Sequence, residues 1–216
     1  MRLREPVNGL THFFAAIVAL AGIAALVVIA RGRWLVEAAL VIYGICLVSL
    51  FAASAAYHMA NTGERGTAIL RRLDHSAIFL LIAGTYTPFC LLAFRGFWQW
   101  GLLSIIWLLA VVGIVIKIIV MNAPRWLSAG AYVIMGWLCV GAVGQMLQVL
   151  SIGAMVWLAI GGIIYTAGAV IYSTKMLDFA PGKFGFHEVW HIFVILGALA
   201  QFISIAVFLI PAHLGG

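Results

Sequence analysis

Seven stretches of apolar residues, each long enough to cross a bilayer as a helix, leave this 216-residue chain little room to fold in any other way. A hydrocarbon core about 30 Å thick is spanned by about 20 apolar residues in helical conformation. The runs fall at about 9–30, 34–59, 73–94, 97–120, 127–150, 153–172 and 187–210, and the longest polar segments are 61–72 and 173–186. With 66% hydrophobic and 8% charged residues, the chain lacks the polar groups to cover a water-soluble globule. The first run is longer than the apolar region of a signal peptide. No polar cleavage segment follows before Arg31, so this run is expected to be retained as a span. The predicted architecture is all-α: a seven-transmembrane helix bundle forming one integral membrane domain over residues 1–216. A soluble enzyme and a disordered segment are excluded.

Charge orients the bundle. The net charge of +6 does not mark a nucleic-acid-binding protein, because the twelve cations are scattered and form no basic helix face. Alternating the spans puts Arg2, Arg4, Arg65, Arg71, Arg72, Lys117, Arg125, Lys175 and Lys183 on one side and Arg31, Arg33 and Arg95 on the other. Positive-inside bias then predicts a cytoplasmic N-terminus and an outside C-terminus in a multi-pass membrane protein. Lys117, three residues inside its run, is expected to snorkel to the cytoplasmic face. Ala15–Ala19 and Ala52–Ala56 have the small-xxx-small spacing that lets helices approach closely in lipid. Cys46, Cys90 and Cys139 lie inside spans, odd in number and without a C-x-x-C, and read as small apolar residues.

Ionisable residues at membrane depth are costly and need partners or a function. Five of the six histidines, His12, His58, His75, His187 and His191, fall at one end of their spans, and only His213 lies at the other. His187 and His191, four apart, share a helix face about 6 Å apart along the axis, a spacing that suits two imidazoles on one metal. With Glu188 they form H-E-x-x-H, the motif in which the glutamate of a zinc peptidase acts as general base. His213, the one histidine downstream, is about 33 Å further along a helix, so a third ligand must come from another helix. By depth the best candidate is His58, with Ser54 one turn before it and Asp74 at matching depth in the next span. His12 and His75 read as interfacial or supporting residues. Glu5, Glu37, Glu64 and Asp178 read as wetted loop charges, and Glu188 has the alternative of a solvent-facing first-turn acid favoured by the helix dipole. Pro88 is expected to kink the third span.

The combination Ser54-x-x-x-His58, Asp74 and His187-x-x-x-His191 across seven apolar runs resembles the hemolysin III family. That family is the bacterial branch of the progestin and adiponectin receptor family, within the alkaline ceramidase-like superfamily. Glu5-Pro-Val-Asn-Gly-Leu-Thr-His12, Asp74-His75, Ala83-Gly-Thr-Tyr-Thr-Pro-Phe89 and Phe184-Gly-Phe-His-Glu-Val-Trp-His191 carry the resemblance over nearly the whole chain, in order. It implies seven helices with a cytoplasmic N-terminus and zinc held by His58, His187 and His191. It also implies Asp74 and Ser54 beside the metal, with Asp74 holding its water. Related receptors place other residues at the position of Glu188, which ranks Asp74 above Glu188 as general base.

Two functions are compatible with these residues. One is a zinc-dependent hydrolase of a lipid amide or ester at the cytoplasmic leaflet, since three histidines leave a position for water. The other is a non-enzymatic lipid sensor or membrane-homeostasis protein with a structural zinc. The family name implies haemolysis, but no residue marks a pore. A transport path is disfavoured because spans four to six hold few ionisable groups at their centres. The partner in either case is a membrane lipid, and the oligomeric state is left open.

Overall fold

The helices start and stop where backbone chemistry dictates. Pro6, whose missing N–H costs nothing in a first turn, opens the first helix. Gly32, at φ +87°, makes the turn out of it in a conformation that favours glycine, and its N–H donates to Glu37 at 2.6 Å. Ser151 caps the sixth helix by accepting from the Ala154 N–H at 3.2 Å. The computed structural model describes residues 4–180 and 184–214; Arg2 and Lys183 of the charge count lie outside them. Seven helices are long and apolar enough to cross a membrane: α1 Pro6–Ile29, α2 Trp34–Met59, α3 Glu64–Ala93, α4 Phe97–Ile119, α5 Arg125–Val149, α6 Ile152–Thr174 and α7 Phe186–Leu214. Among the described residues there is no strand, only a single antiparallel bridge between Ala180 and Phe184 in the α6–α7 connection.

Three of the seven start or end away from the apolar runs. α1 and α3 begin earlier than hydropathy alone indicates, α3 by nine residues, because Glu64–Arg72 continues the helix as polar turns. Glu, Arg and Leu are good helix formers, so this stretch needs no apolar face to be helical. α7 runs on to Leu214.

α1 packs on α2 and α7, α2 on α3, α3 on α4 and α5, α5 on α6, and α6 on α7. α3, α2 and α7 bury 67%, 50% and 44% of their most apolar windows, against 22–28% for the other four, and these three interior helices carry the candidate site. Within the bilayer, a break in a helix must be satisfied by protein groups. α3 passes into a π turn, Phe89–Ala93, directly after Pro88. α5 is interrupted by a 3₁₀ turn, Leu138–Ala142, and Tyr86 of α3 serves it: its hydroxyl accepts from the Cys139 N–H at 2.8 Å and donates to the Gly136 carbonyl at 2.8 Å.

Close helix approach does not use both alanine pairs. Ala19 is buried, but Ala52 and Ala56 lie on the exposed face of α2. The α2–α3 contact is made instead at Gly84, where an added Cβ would overlap the Cβ and Sγ of Cys46. Gly84→Ala is therefore expected to cost about 1–3 kcal/mol through overpacking. The check is a thermal melt in detergent, where an unchanged Tm would refute the contact.

Candidate metal centre

His58 closes α2, and His187 and His191 occupy the first two turns of α7. The α1–α2–α7 packing brings these helix ends together. One ring nitrogen from each of the three lies within 4.8 Å of the other two, so the group can hold a metal ion. His58 Nε2 and His187 Nε2 are 3.5 Å apart. Two nitrogens each about 2.0–2.1 Å from a tetrahedral zinc would lie about 3.4 Å apart. The three ring centroids are 4.7–5.2 Å from one another. His58 and His191 are buried and His187 half-buried.

The rings are also prepared for a cation. His58 Nδ1–H donates to Glu5 Oε2 at 2.6 Å, which fixes the tautomer and leaves the Nε2 lone pair facing His187. His191 Nδ1 is buried with no hydrogen-bond partner. The hydrogen bond from His58 holds the Glu5 carboxyl down to about 2 against the desolvation that would raise it, so Glu5 is ionised throughout the neutral range. Asn8, buried on α1, donates to Glu5 at 3.3 Å and to Glu188 at 2.9 Å and ties the two acids together. His12 stands behind the triad, its ring centroid 4.0 Å from that of His191, and is not part of the three-histidine group.

A cavity of about 300 Å³ opens on the triad. Ser54 and Asp74 line it, with the Asp74 carboxyl in reach of the Ser54 hydroxyl. His75 lines it too, while its carbonyl accepts from Tyr132 at 3.1 Å. Glu188 is not in the wall: its Oε2 accepts from the Gly185 N–H at 2.8 Å and its Oε1 from Asn8, which makes it the capping residue of α7. A second cavity, about 340 Å³ and almost wholly apolar, runs between α3, α5, α6 and α7. The two share Leu50, Ile78, Tyr132, Trp190 and Val194 as wall. His213 is at the far end, where its Nε2 lies 2.9 Å from the Leu92 carbonyl oxygen.

The sequence of this bundle matches the family model described as "Haemolysin-III related" over residues 1–202. The chain belongs to that family. It is 34% identical to Hemolysin-3 of Bacillus cereus over 209 residues, covering 96% of this chain and 92% of the relative. It is 34% identical to the Hemolysin-3 homolog of Bacillus subtilis (strain 168) over 204 residues, covering 93% and 92%. A more distant similarity, 28% over 158 residues, is to the adiponectin receptor protein of Drosophila melanogaster, covering 64% of this chain and 35% of that one. The protein is thus a multi-pass membrane protein of the haemolysin-III family, with bacterial relatives and with lipid as its surroundings.

Two residues of this family member escaped sequence reading. Glu5 is more than a wetted loop charge: although its side chain is partly exposed, it is held at the site by His58, Asn8 and, at 3.6 Å, Arg4. The available signal was its place directly before the Pro6 that opens α1, which puts it at the depth of the histidines. Lys117 does not snorkel outward: it is buried, bonded to Ser128 Oγ of α5, and lines the cavity.

Outer partners of metal-binding histidines tune affinity by 10–100-fold. Glu5→Gln is therefore expected to weaken metal binding by about that factor while leaving the fold intact, as read by competition with a chromogenic chelator. Unchanged affinity would mean that Glu5 orients nothing.

Proposed function

We propose that this protein is a zinc-dependent hydrolase acting on an amide or ester bond of a membrane lipid, with its site at the cytoplasmic leaflet of the bacterial inner membrane. The observation that carries this reading is the cavity in front of the histidine triad. Its wall holds Asp74 and Ser54, and it adjoins an apolar cavity of about 340 Å³. An amphiphile fits such a pair, with its polar linkage beside the histidines and its chain among Leu81, Ile82 and Met155.

His58, His187 and His191 are the ligands. When bound, zinc supplies a Lewis acid that polarises a carbonyl and lets water ionise near neutral pH. Asp74 is the general base that takes the proton of the attacking water and returns it to the leaving group. Ser54, buried on α2, orients Asp74 or the carbonyl through its hydroxyl. Glu188, committed to the α7 cap and Asn8, stands behind Asp74 as candidate base. The cytoplasmic placement rests on the charge bias, nine of twelve cations flanking the histidine end.

The test is fatty-acid release from a panel of lipid amides and esters by the zinc-loaded protein in detergent. Release that stops on chelation supports hydrolysis. A second reading, a lipid sensor with a structural zinc, is favoured by the way Glu5, His58 and the His187/His191 pair join α1, α2 and α7 at one point. It expects no product from the panel, but a large loss of thermal stability when zinc is removed.

A further inference from the structure

We infer that the cavity also contains an anion site, built from Lys117 with Arg71 and Arg125, that binds the phosphate-like group of its ligand. This extends the lipid reading by naming the headgroup. Lys117, on the last turn of α4, is only 5% exposed. Its ammonium donates to the hydroxyl of Ser128, itself 8% exposed, and both residues line the cavity. An ammonium in such a setting is costly unless an anion pairs with it.

No acid of the described residues does so. The ion pairs found within 4.0 Å are Arg4–Glu5 and His58–Glu5, and none involves Lys117, Arg71 or Arg125. The two acids in the cavity wall have other partners: Glu5 bonds to His58, and Asp74 to the Ser54 hydroxyl.

Two further cations join Lys117 in the wall. Arg71, on an early turn of α3, is close enough to repel it. Arg125 opens α5 and rests over the rings of Tyr172 and Phe186, at 5.6 and 5.2 Å. Both arginines are exposed, so they stand at the mouth while Lys117 lies at depth. One ammonium, two guanidinium forks and a hydroxyl supply hydrogen-bond donors, and neither Glu5 nor Asp74, the acids of the same wall, forms an ion pair with them. The complement of that set is an oxygen-rich anion, and a phosphate accepts both point-charge and forked donors. The shared chemistry fits a free phosphate and a lipid phosphate alike. The adjoining apolar cavity favours the lipid.

Isothermal titration of the purified full chain in dodecyl maltoside, with dodecyl phosphate and with inorganic phosphate, tests the site. The wild type is expected to bind dodecyl phosphate saturably. Lys117→Met should bind it at least about tenfold more weakly, in line with loss of a charged hydrogen bond. Arg71→Gln, at an exposed position that endangers no packing, should weaken it severalfold, and Lys117→Arg should stay within about threefold of wild type. Tighter binding of dodecyl phosphate than of inorganic phosphate assigns the site to a lipid headgroup, and equal binding assigns it to a free anion; both support an anion site. No saturable binding of either probe, or equal binding by wild type, Lys117→Met and Arg71→Gln, overturns it. The readout is binding, and it is repeated on chelator-treated protein. A chain found to hold no metal, or to hydrolyse nothing, would still show dependence on Lys117, which separates failure of this site from failure of the hydrolase reading.

Discussion

Replacing His187 and His191 together by alanine is expected to strip the purified protein of its metal, from about one ion per chain to less than about a tenth, by plasma mass spectrometry. The double variant leaves His58 as the one ligand of the group, and a lone imidazole cannot hold zinc against a detergent buffer. Stability should fall as well, because an ion that binds only the folded state stabilises it by about 4 kcal/mol at a thousandfold excess over Kd. His12→Ala is the control. His12 is equally buried and lies against His191, yet it is outside the triad, so its variant should keep close to one ion per chain. Equal metal contents in wild type and double variant would remove the basis for a metal site here.

Asp74→Asn is expected to keep the metal and lose the reaction. Asparagine has the shape of aspartate and can still meet the Ser54 hydroxyl, but it cannot accept a proton at neutral pH. General-base catalysis contributes typically about 10²–10⁴-fold, and that is the loss expected in kcat for fatty-acid release, with KM little changed. Glu188→Gln should spare most of the turnover, since Glu188 faces Gly185 and Asn8 and is absent from the cavity wall. A reversed pattern, with Glu188→Gln inactive and Asp74→Asn active, would move the base to the H-E-x-x-H glutamate. Turnover undiminished in both would place the base elsewhere.

Much of this was legible in the residues because lipid is so restrictive a solvent. Seven apolar runs of about 20 residues become seven helices, since a helix satisfies the backbone of each run within itself. The few polar groups then stand out, and His58, His187 and His191 converge because helix ends alternate between two faces. What escaped reading depended on side-chain direction, which hydropathy does not encode. Lys117 near the end of an apolar run has two polar destinations, the interface and a cavity, and only the position of Ser128 on α5 decides between them. Glu5 looks like any acid before a helix until α2 places His58 against it at 2.6 Å. Ala52–Ala56 has the right spacing on the wrong face, while Gly84, opposite Cys46, makes the close contact.

The most direct measurement of the central claim is an anomalous-difference map from crystals of the wild-type protein, collected above and below the zinc edge. A single peak is expected among His58, His187 and His191, on the side facing Asp74 and Ser54, and it should vanish below the edge. A map with no peak at the three histidines, or with its peak at another position, would contradict a zinc centre at this end of the bundle.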